Sequence, residues 1–252
     1  MDATLNPMTV IPVSSPVSLP LTDLTRYQSW GYVAVRGRFS RGEVTAWEEE
    51  CDRLFRAAAS AEARIQYRQH EDGGRIADRI DPLLDISPVF DRLARDPRVT
   101  GAVESALAGP SVVMKAKLIT KRPGTHGYGL HQDYPYWAWT GIPADQLLSV
   151  LVAVDPASTV NGGLEVWAGL HRTRLPGAAN DPMDVDEAAI DLSQGETVPL
   201  DAGDLLIFHS QVPHRSAPNR SLISRRAVFL TYTRAEYAEA ARGYREKQLA
   251  GK

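Results

Sequence analysis

Gly127-Tyr-Gly-Leu-His-Gln-Asp-Tyr-Pro-Tyr-Trp-Ala-Trp139 is the stretch on which the reading of the whole chain turns. At its centre an imidazole and a carboxylate, His131 and Asp133, stand two residues apart. Side chains in extended backbone alternate between faces, so the pair is expected to project to one side as neighbouring ligands for a borderline-hard metal ion. Such a tripeptide arises often by chance. The reading therefore needs a second histidine and a reason for leaving some metal positions open. Two histidines and one carboxylate on one face of a metal leave the remaining positions free.

His209, His214 and His171 lie in the second half of the chain, and His70 and His126 in loop-like sequence. His214 is favoured because a turn at Gly203-Asp204 feeds an apolar strand that ends just before Pro213-His214-Arg215-Ser216. His209 closes that apolar run and is read as a packed strand residue, the main rival ligand. Arg225 opens the next strand candidate, and a guanidinium near a metal pocket can hold a carboxylate through two parallel N–H bonds. Arg226 is the alternative. Strand neighbours face opposite ways, so only one of the two points inward.

Outward from this centre, Ser111–Thr120 reads as a strand and Leu147–Val154 as one buried on both faces. Short strands follow at Gly163–Trp167, Leu205–His209 and Ala227–Tyr232, separated by Gly, Pro, Asn and Asp turns. Toward the N-terminus the pattern is helical. Leu21–Trp30 forms a short helix and Tyr32–Val35 a strand. Ser40 with Glu43 makes a capping box ahead of a helix carrying Val44, Trp47, Cys51, Leu54 and Phe55 on one face. Ile86–Ala108 is helical with a break at Asp96-Pro97. The loop at 70–74 separates these helices. Arg64, Arg68, Arg75 and Arg79 straddle the loop and read as solvated helix charges, with contact to an anionic substrate as the alternative. Asn180–Gly195 is an excursion between strands. Helices followed by many short strands predict a mainly β protein with a helical N-terminal layer on an antiparallel jelly roll. The expected division is a single domain over 1–252: an arm at 1–19, helices at 20–110, the jelly roll at 111–234 and a C-terminal helix at 235–252.

Composition bounds the function. The chain has 252 residues, 43% hydrophobic and 23% charged, a soluble globular balance, and its net charge of −3 gives no reason to expect a nucleic-acid partner. A single cysteine excludes a disulfide framework and a thiolate zinc site. No apolar run long enough for a membrane span is present, and residues 1–20 lack the pattern of a signal peptide. A cytoplasmic location and a small-molecule partner are expected, and nothing reports on oligomeric state.

Four motifs in order give the chain a resemblance to the phytanoyl-CoA dioxygenase family of Fe(II)/2-oxoglutarate-dependent oxygenases. They are Leu130-His131-Gln132-Asp133 followed by aromatics, Asn161-Gly162-Gly163-Leu164-Glu165-Val166 with Gly169-Leu170-His171-Arg172, Gly203-Asp204 leading to His214-Arg215-Ser216, and Asn219 with Arg225. The similarity spans about Val112–Tyr232 and is thinner over Gly31–Gly109. It implies a double-stranded β-helix, cupin-like, holding iron through His131, Asp133 and His214. It further implies 2-oxoglutarate with its distal carboxylate on Arg225 beside Ser216, Lys117 facing the co-substrate, and O2 as oxidant. The expected activity is hydroxylation of a small, possibly secondary, metabolite with release of succinate and CO2. The same site supports desaturation, epimerisation or ring closure. Asp133 fills a position that is small in halogenating relatives, which disfavours halogenation. Relatives often have Gly-Ser-His where this chain has Gly-Leu-His171, so no catalytic role rests on that histidine.

Tyr134, Tyr136 and Trp137, with Trp139, form a dense aromatic cluster read as a substrate-pocket wall that excludes water, with packing against the helices as the alternative. Two other classes compete with the oxygenase. A ligand-binding jelly roll without turnover has no need of Arg225 and Ser216. A zinc hydrolase on the same ligands needs a nearby general base, and no second carboxylate is marked out around His131.

Overall fold

The computed structural model describes residues 17–58, 64–181 and 183–250. Most of the expected N-terminal arm falls outside them, although Leu19 at its end is buried. Helix α1 (Leu21–Trp30) stops at Gly31, whose φ of 83° lets its N–H return to the Tyr27 carbonyl. Strand β1 (Tyr32–Val35) follows, then α2 (Arg41–Ala58). The expected capping box is present: Ser40 N–H donates to Glu43 Oε2 at 2.8 Å and Glu43 N–H to Ser40 Oγ at 3.4 Å.

The helical stretch expected over 86–108 is two helices, α3 (Pro88–Ala94) and α4 (Pro97–Leu107), each with Pro in its first turn. Ser87 and Asp96 cap them, accepting from Phe90 N–H and Arg98 N–H. The region between α2 and α3 departs from expectation. Residues 65–80 form a hairpin, β2 (Ile65–Gln69) and β3 (Arg75–Ile80), turning at 70–74. Arg68, Arg75 and Arg79 therefore sit on strands, not on helices. Their charges hid the two-residue period, and the pairing of β3 with the following strand supplies the order that local propensity does not.

The remaining elements are β4 (Ser111–Lys121), β5 (Tyr128–His131), β6 (Leu147–Ala153), β7 (Leu164–Val166), β8 (Glu196–Thr197), β9 (Leu205–His209), β10 (His214–Ser216), β11 (Arg225–Arg234) and α5 (Ala238–Ala250). They build two antiparallel sheets: seven strands in the order β1-β9-β6-β11-β4-β3-β2, and four in the order β5-β10-β7-β8. The large sheet is covered on both faces, so its strands alternate between two apolar clusters. Leu148, Val150 and Val152 of β6 and Val228, Leu230 and Tyr232 of β11 pack against the helices. Leu151, Ala153, Ala227 and Phe229, with Leu206 and Phe208 of β9, face the small sheet. This is the expected jelly roll under a helical layer. A third cluster, with Met114, Trp137, Leu147 and Tyr244, ties α5 to the barrel.

Candidate active site

Strands β5 and β10 pair so that His131 lies directly opposite His214, with ring centroids 4.2 Å apart. Asp133 joins them by a route that strand alternation does not describe. β5 ends at His131, and Asp133 has φ −71° and ψ −33°, a turn conformation. Tyr134 N–H donates to the Ser210 carbonyl at 2.9 Å and holds that turn against the end of β9. His131 Nε2 is 3.8 Å from Asp133 Oδ1, and one ligand atom from each of His131, Asp133 and His214 lies within 4.8 Å of the others.

Both rings are oriented in the same way. His131 Nδ1 is 2.8 Å from the Gly129 carbonyl and His214 Nδ1 is 2.9 Å from the Val212 carbonyl. A carbonyl only accepts, so each Nδ1 carries the proton and each Nε2 lone pair is left for a metal. Burial, and then His131, push the His214 imidazolium down to about 4, so the ring is neutral, as ligation requires. Burial pushes the Asp133 carboxyl up, but His214, Lys117, His131 and Lys115 outweigh it and hold it below its ordinary value. Ser149 Oγ donates to Asp133 Oδ2 at 3.3 Å and lies 3.3 Å from Thr231 Oγ1. Two imidazoles that each leave the Nε2 lone pair free and an oriented carboxylate fit a divalent first-row metal held facially.

A cavity runs from His131 and His214, past Lys117 and Phe229, to Ser216 and Arg225. Arg225 is 3% exposed, and among the described residues its guanidinium forms no salt bridge and its Nε has no hydrogen-bond partner. Burial pushes it down to about 10, which leaves it cationic at neutral pH. Arg226 faces the other way and pairs with Asp155 at 2.8 Å on the side of α2. Lys121 lies opposite Arg225 in register. Its Nζ donates to Ser216 Oγ at 2.7 Å and to the Ala217 carbonyl at 2.6 Å. Burial, then Arg225 and Arg68, push its ammonium down to about 6 against Asp78. Gly162, at φ 72°, makes room for it: a Cβ there would stand 2.8 Å from Lys121 Nζ and 2.4 Å from the Ala217 carbonyl.

The aromatic cluster divides. Tyr136, 43% exposed, sets its ring edge-on to His131 at 6.3 Å. Trp137 is buried in the cluster that anchors α5, with Tyr134 packed against it, and Trp139 stacks on Tyr244 at 5.8 Å. Tyr136 thus stands by the metal ligands, while Trp137 packs. Gln132 turns away from them and bonds the Thr173 and Gln211 carbonyls and Leu175 N–H. His171 and His209 sit together with ring centroids 5.3 Å apart and take no part in the His131–Asp133–His214 cluster. A larger cleft of about 720 Å³ opens between α5, the start of β4 and residues 82–95, and no histidine lines it.

Lys121, Ser149 and Thr231 were not singled out from sequence; Lys121 and Ser149 stand out there by position, but the partner that gives a hydroxyl its role does not. Lys121 shares the strand face of Lys117 by its spacing of four, and Ser149 is the lone hydroxyl in the apolar run Leu147–Val154.

Residues 27–227 match the family described as phytanoyl-CoA dioxygenase (PhyH). Methylphosphonate hydroxylase of Gimesia maris is 27% identical over 214 residues, covering 84% of this chain and 80% of that protein. Ectoine dioxygenase of Streptomyces anulatus is 27% identical over 246 residues, covering 89% and 81%. EctD from S. alaskensis, crystallised with 2-oxoglutarate and 5-hydroxyectoine, superposes with a TM-score of 0.76 at 21% identity, covering 90% and 82%. The epimerase SnoN, crystallised with Fe3+, alpha ketoglutarate and nogalamycin RO, gives 0.69 at 23% identity, covering 85% and 83%. With its jelly roll, its two-histidine, one-carboxylate cluster and a family match over most of its length, this chain belongs to the phytanoyl-CoA dioxygenase family and is an Fe(II)/2-oxoglutarate-dependent dioxygenase.

Proposed function

We propose that this enzyme hydroxylates an unactivated C–H bond of a small molecule, with His131, Asp133 and His214 holding iron and Arg225 and Ser216 holding the distal carboxylate of 2-oxoglutarate. The observation that supports this is the cavity that joins the imidazoles of His131 and His214 to the buried guanidinium of Arg225, which has no counter-ion among the described residues. Fe(II), when bound, supplies oxygen activation coupled to the splitting of 2-oxoglutarate into succinate and CO2.

The chain's own residues bind and orient. Arg225 offers a carboxylate charge-assisted hydrogen bonds in a site that excludes water. Ser216 Oγ accepts from Lys121 Nζ at 2.7 Å and from Tyr128 N–H at 3.4 Å, which leaves its own hydrogen to donate to that carboxylate. Lys117, on the rung of Phe229, stands four strand residues from the Arg225 rung and is not needed to hold the distal end. Tyr136 sets its ring edge-on to that of His131. A jelly roll that binds a ligand without turnover has no need of the co-substrate pocket at Arg225 and Ser216, where the guanidinium has no counter-ion among the described residues. The single cysteine, buried and unpaired, suits a reducing compartment, and a cytoplasmic location is part of this proposal.

The test is anaerobic titration of Fe(II) and 2-oxoglutarate into metal-free protein, followed by the visible charge-transfer absorption of the chelate. A band that needs both additions, is lost in Asp133→Ala and requires far more 2-oxoglutarate in Arg225→Ala is expected. Folded protein that gives no band overturns the assignment of these residues.

A further inference from the structure

The two sheets are stitched together at one corner, near the Ser216–Arg225 end of the cavity. Strand β3 carries a bulge there: Gln66 pairs with Arg79 and Tyr67 with Ala77, so Asp78 is the extra residue between them. A bulge bends its strand and re-aims a side chain. The Asp78 carboxylate, 3% exposed, reaches the small sheet and accepts from Tyr128 O–H at 2.9 Å and from Arg68 Nε at 3.0 Å. Arg68 is committed to the same corner. Its Nη1 donates to the Gly127 carbonyl at 3.1 Å, and its Cζ lies 3.5 Å from the centre of the Tyr128 ring. The segment held in this way has little backbone pairing of its own. β5 is a four-residue edge strand, and its ladder with β10 is irregular between His131↔His214 and Tyr128↔Ser216. At Tyr128 the backbone N–H donates to Ser216 Oγ at 3.4 Å. Gly127 is pressed so close to the Ser216 carbonyl that a Cβ would stand 2.0 Å from its oxygen. Tyr128 itself lines the cavity with Ser216 and Arg225. A shift of residues 127–128 is therefore passed directly to Ser216.

We propose that Asp78 and Arg68 are positioning residues for the co-substrate pocket: they fix Tyr128, and through it Ser216, where the cavity can take the distal carboxylate of 2-oxoglutarate. This rests on the oxygenase reading of the site and adds to it two residues of the β2–β3 hairpin, which carries none of the ligands. Neither of them touches the co-substrate. The hairpin was expected to be a loop between helices, and the bulge at Asp78 gives it a place in the site. The metal ligands do not depend on this corner. His131 is held at the other end of β5, by its pairing with His214 and by a bridge to Asp184. A loss at the corner should therefore fall on 2-oxoglutarate and spare the metal, whereas an ion pair that served stability alone would not distinguish the two.

The experiment uses the full chain in a calorimeter, titrated first with Mn(II) and then, once loaded, with 2-oxoglutarate. Tyr128→Phe, Arg68→Gln and Asp78→Ala should each weaken 2-oxoglutarate by about tenfold, while Mn(II) affinity stays within about twofold. Unchanged Mn(II) binding also shows that a variant is folded, and Tyr128→Phe and Arg68→Gln carry the test if Asp78→Ala does not fold. Asp78→Asn, which keeps an acceptor for the Tyr128 hydroxyl, should recover part of the loss seen in Asp78→Ala. Tyr128→Phe added to Asp78→Ala should cost nothing further, because both remove the same hydrogen bond. Glu50→Gln serves as the control: this buried carboxylate accepts from Ser87 Oγ and Arg53 in the helical layer, and its loss should leave 2-oxoglutarate affinity unchanged. In protein whose wild type takes 2-oxoglutarate, three results overturn the proposal. They are an affinity within about twofold of wild type in Tyr128→Phe and Arg68→Gln, an equal loss of Mn(II) and 2-oxoglutarate, or additive losses in the double variant. Wild-type protein that fails to take Mn(II) and 2-oxoglutarate overturns the parent reading, and this one with it.

Discussion

Ser149 is a hydroxyl set in a strand of aliphatic side chains, and its position puts it behind Asp133 of the proposed metal site. It donates to Asp133 Oδ2 at 3.3 Å from the strand facing the ligands and is itself 2% exposed. Groups of this kind hold a ligating carboxylate in one orientation and commonly change metal affinity by about ten- to a hundredfold. Ser149→Ala is therefore expected to weaken Mn(II) binding by about tenfold, measured by calorimetry, with the urea midpoint little changed because the substitution leaves an apolar strand apolar. An unaltered Mn(II) affinity would show that Asp133 is held by its own turn alone. The residues that carry charge or ligation (His131, Asp133, His214, Arg225) could be picked out in the sequence because their chemistry is rare in a core and their spacing repeats family motifs. Ser149 and Thr231 could not, since a lone hydroxyl acquires a role only when a particular strand lies opposite it.

At the scale of elements, β9 carries a titration that follows from burial. His209 ends that strand, 8% exposed, with its Nδ1 accepting from Gln211 N–H at 3.0 Å. Burial, and then His171, push its pKa from 6.5 down to about 4, against Asp145. Above pH 6.5 the ring is neutral folded or unfolded. Between 6.5 and about 4 only the unfolded chain binds the proton, so stability falls as the pH is lowered through that window, and the loss is complete below it. Comparing wild type with His209→Gln by urea denaturation at pH 7 and pH 4.5, the wild type should lose about 1–3 kcal/mol more than the variant between the two pH values. The protonation of His214 is common to both proteins. Equal losses would mean that the folded state accommodates the His209 proton. Elements with a strong period or punctuation (α1, β1, α2, β6, the break at Pro97) were legible in sequence. The hairpin of β2 and β3 was not, because its strands are charge-rich and its order comes from pairing with β4.

Across the whole molecule, α5 braces the loop that follows the metal ligands. Trp137 and Tyr244 share one buried cluster, Trp139 stacks on Tyr244 at an interplanar angle of 22°, and Lys247 lies 4.0 Å from the Trp139 ring. Removing a large aromatic from such a cluster costs about 3–5 kcal/mol when the cavity does not collapse. Tyr244→Ala should lower the unfolding free energy by about 3 kcal/mol, read from urea denaturation. It should also weaken 2-oxoglutarate-dependent metal binding, because the braced segment begins at Tyr134, next to Asp133. Full stability in the variant would show that α5 is an appendage and not a brace.

Local pattern was enough for the class of fold and for a short set of candidate ligands. A helical layer on a jelly roll follows from residue types and periodicities within short windows, where local physics acts, while the set of His131, Asp133, His214 and Arg225 was legible through motifs whose order resembles that of the family. Everything that depends on which strands lie side by side came from long-range packing. It bent the chain at Asp133, where the sequence pattern assumed an extended strand. It turned Arg225 inward and Arg226 toward Asp155. It split the aromatic cluster between Tyr136 at the metal and Trp137 in the packing, and it set Lys121 and Ser149 on the inner face. The physical reason is that a strand's period fixes which residues share a face, while pairing between strands distant in sequence fixes what that face meets.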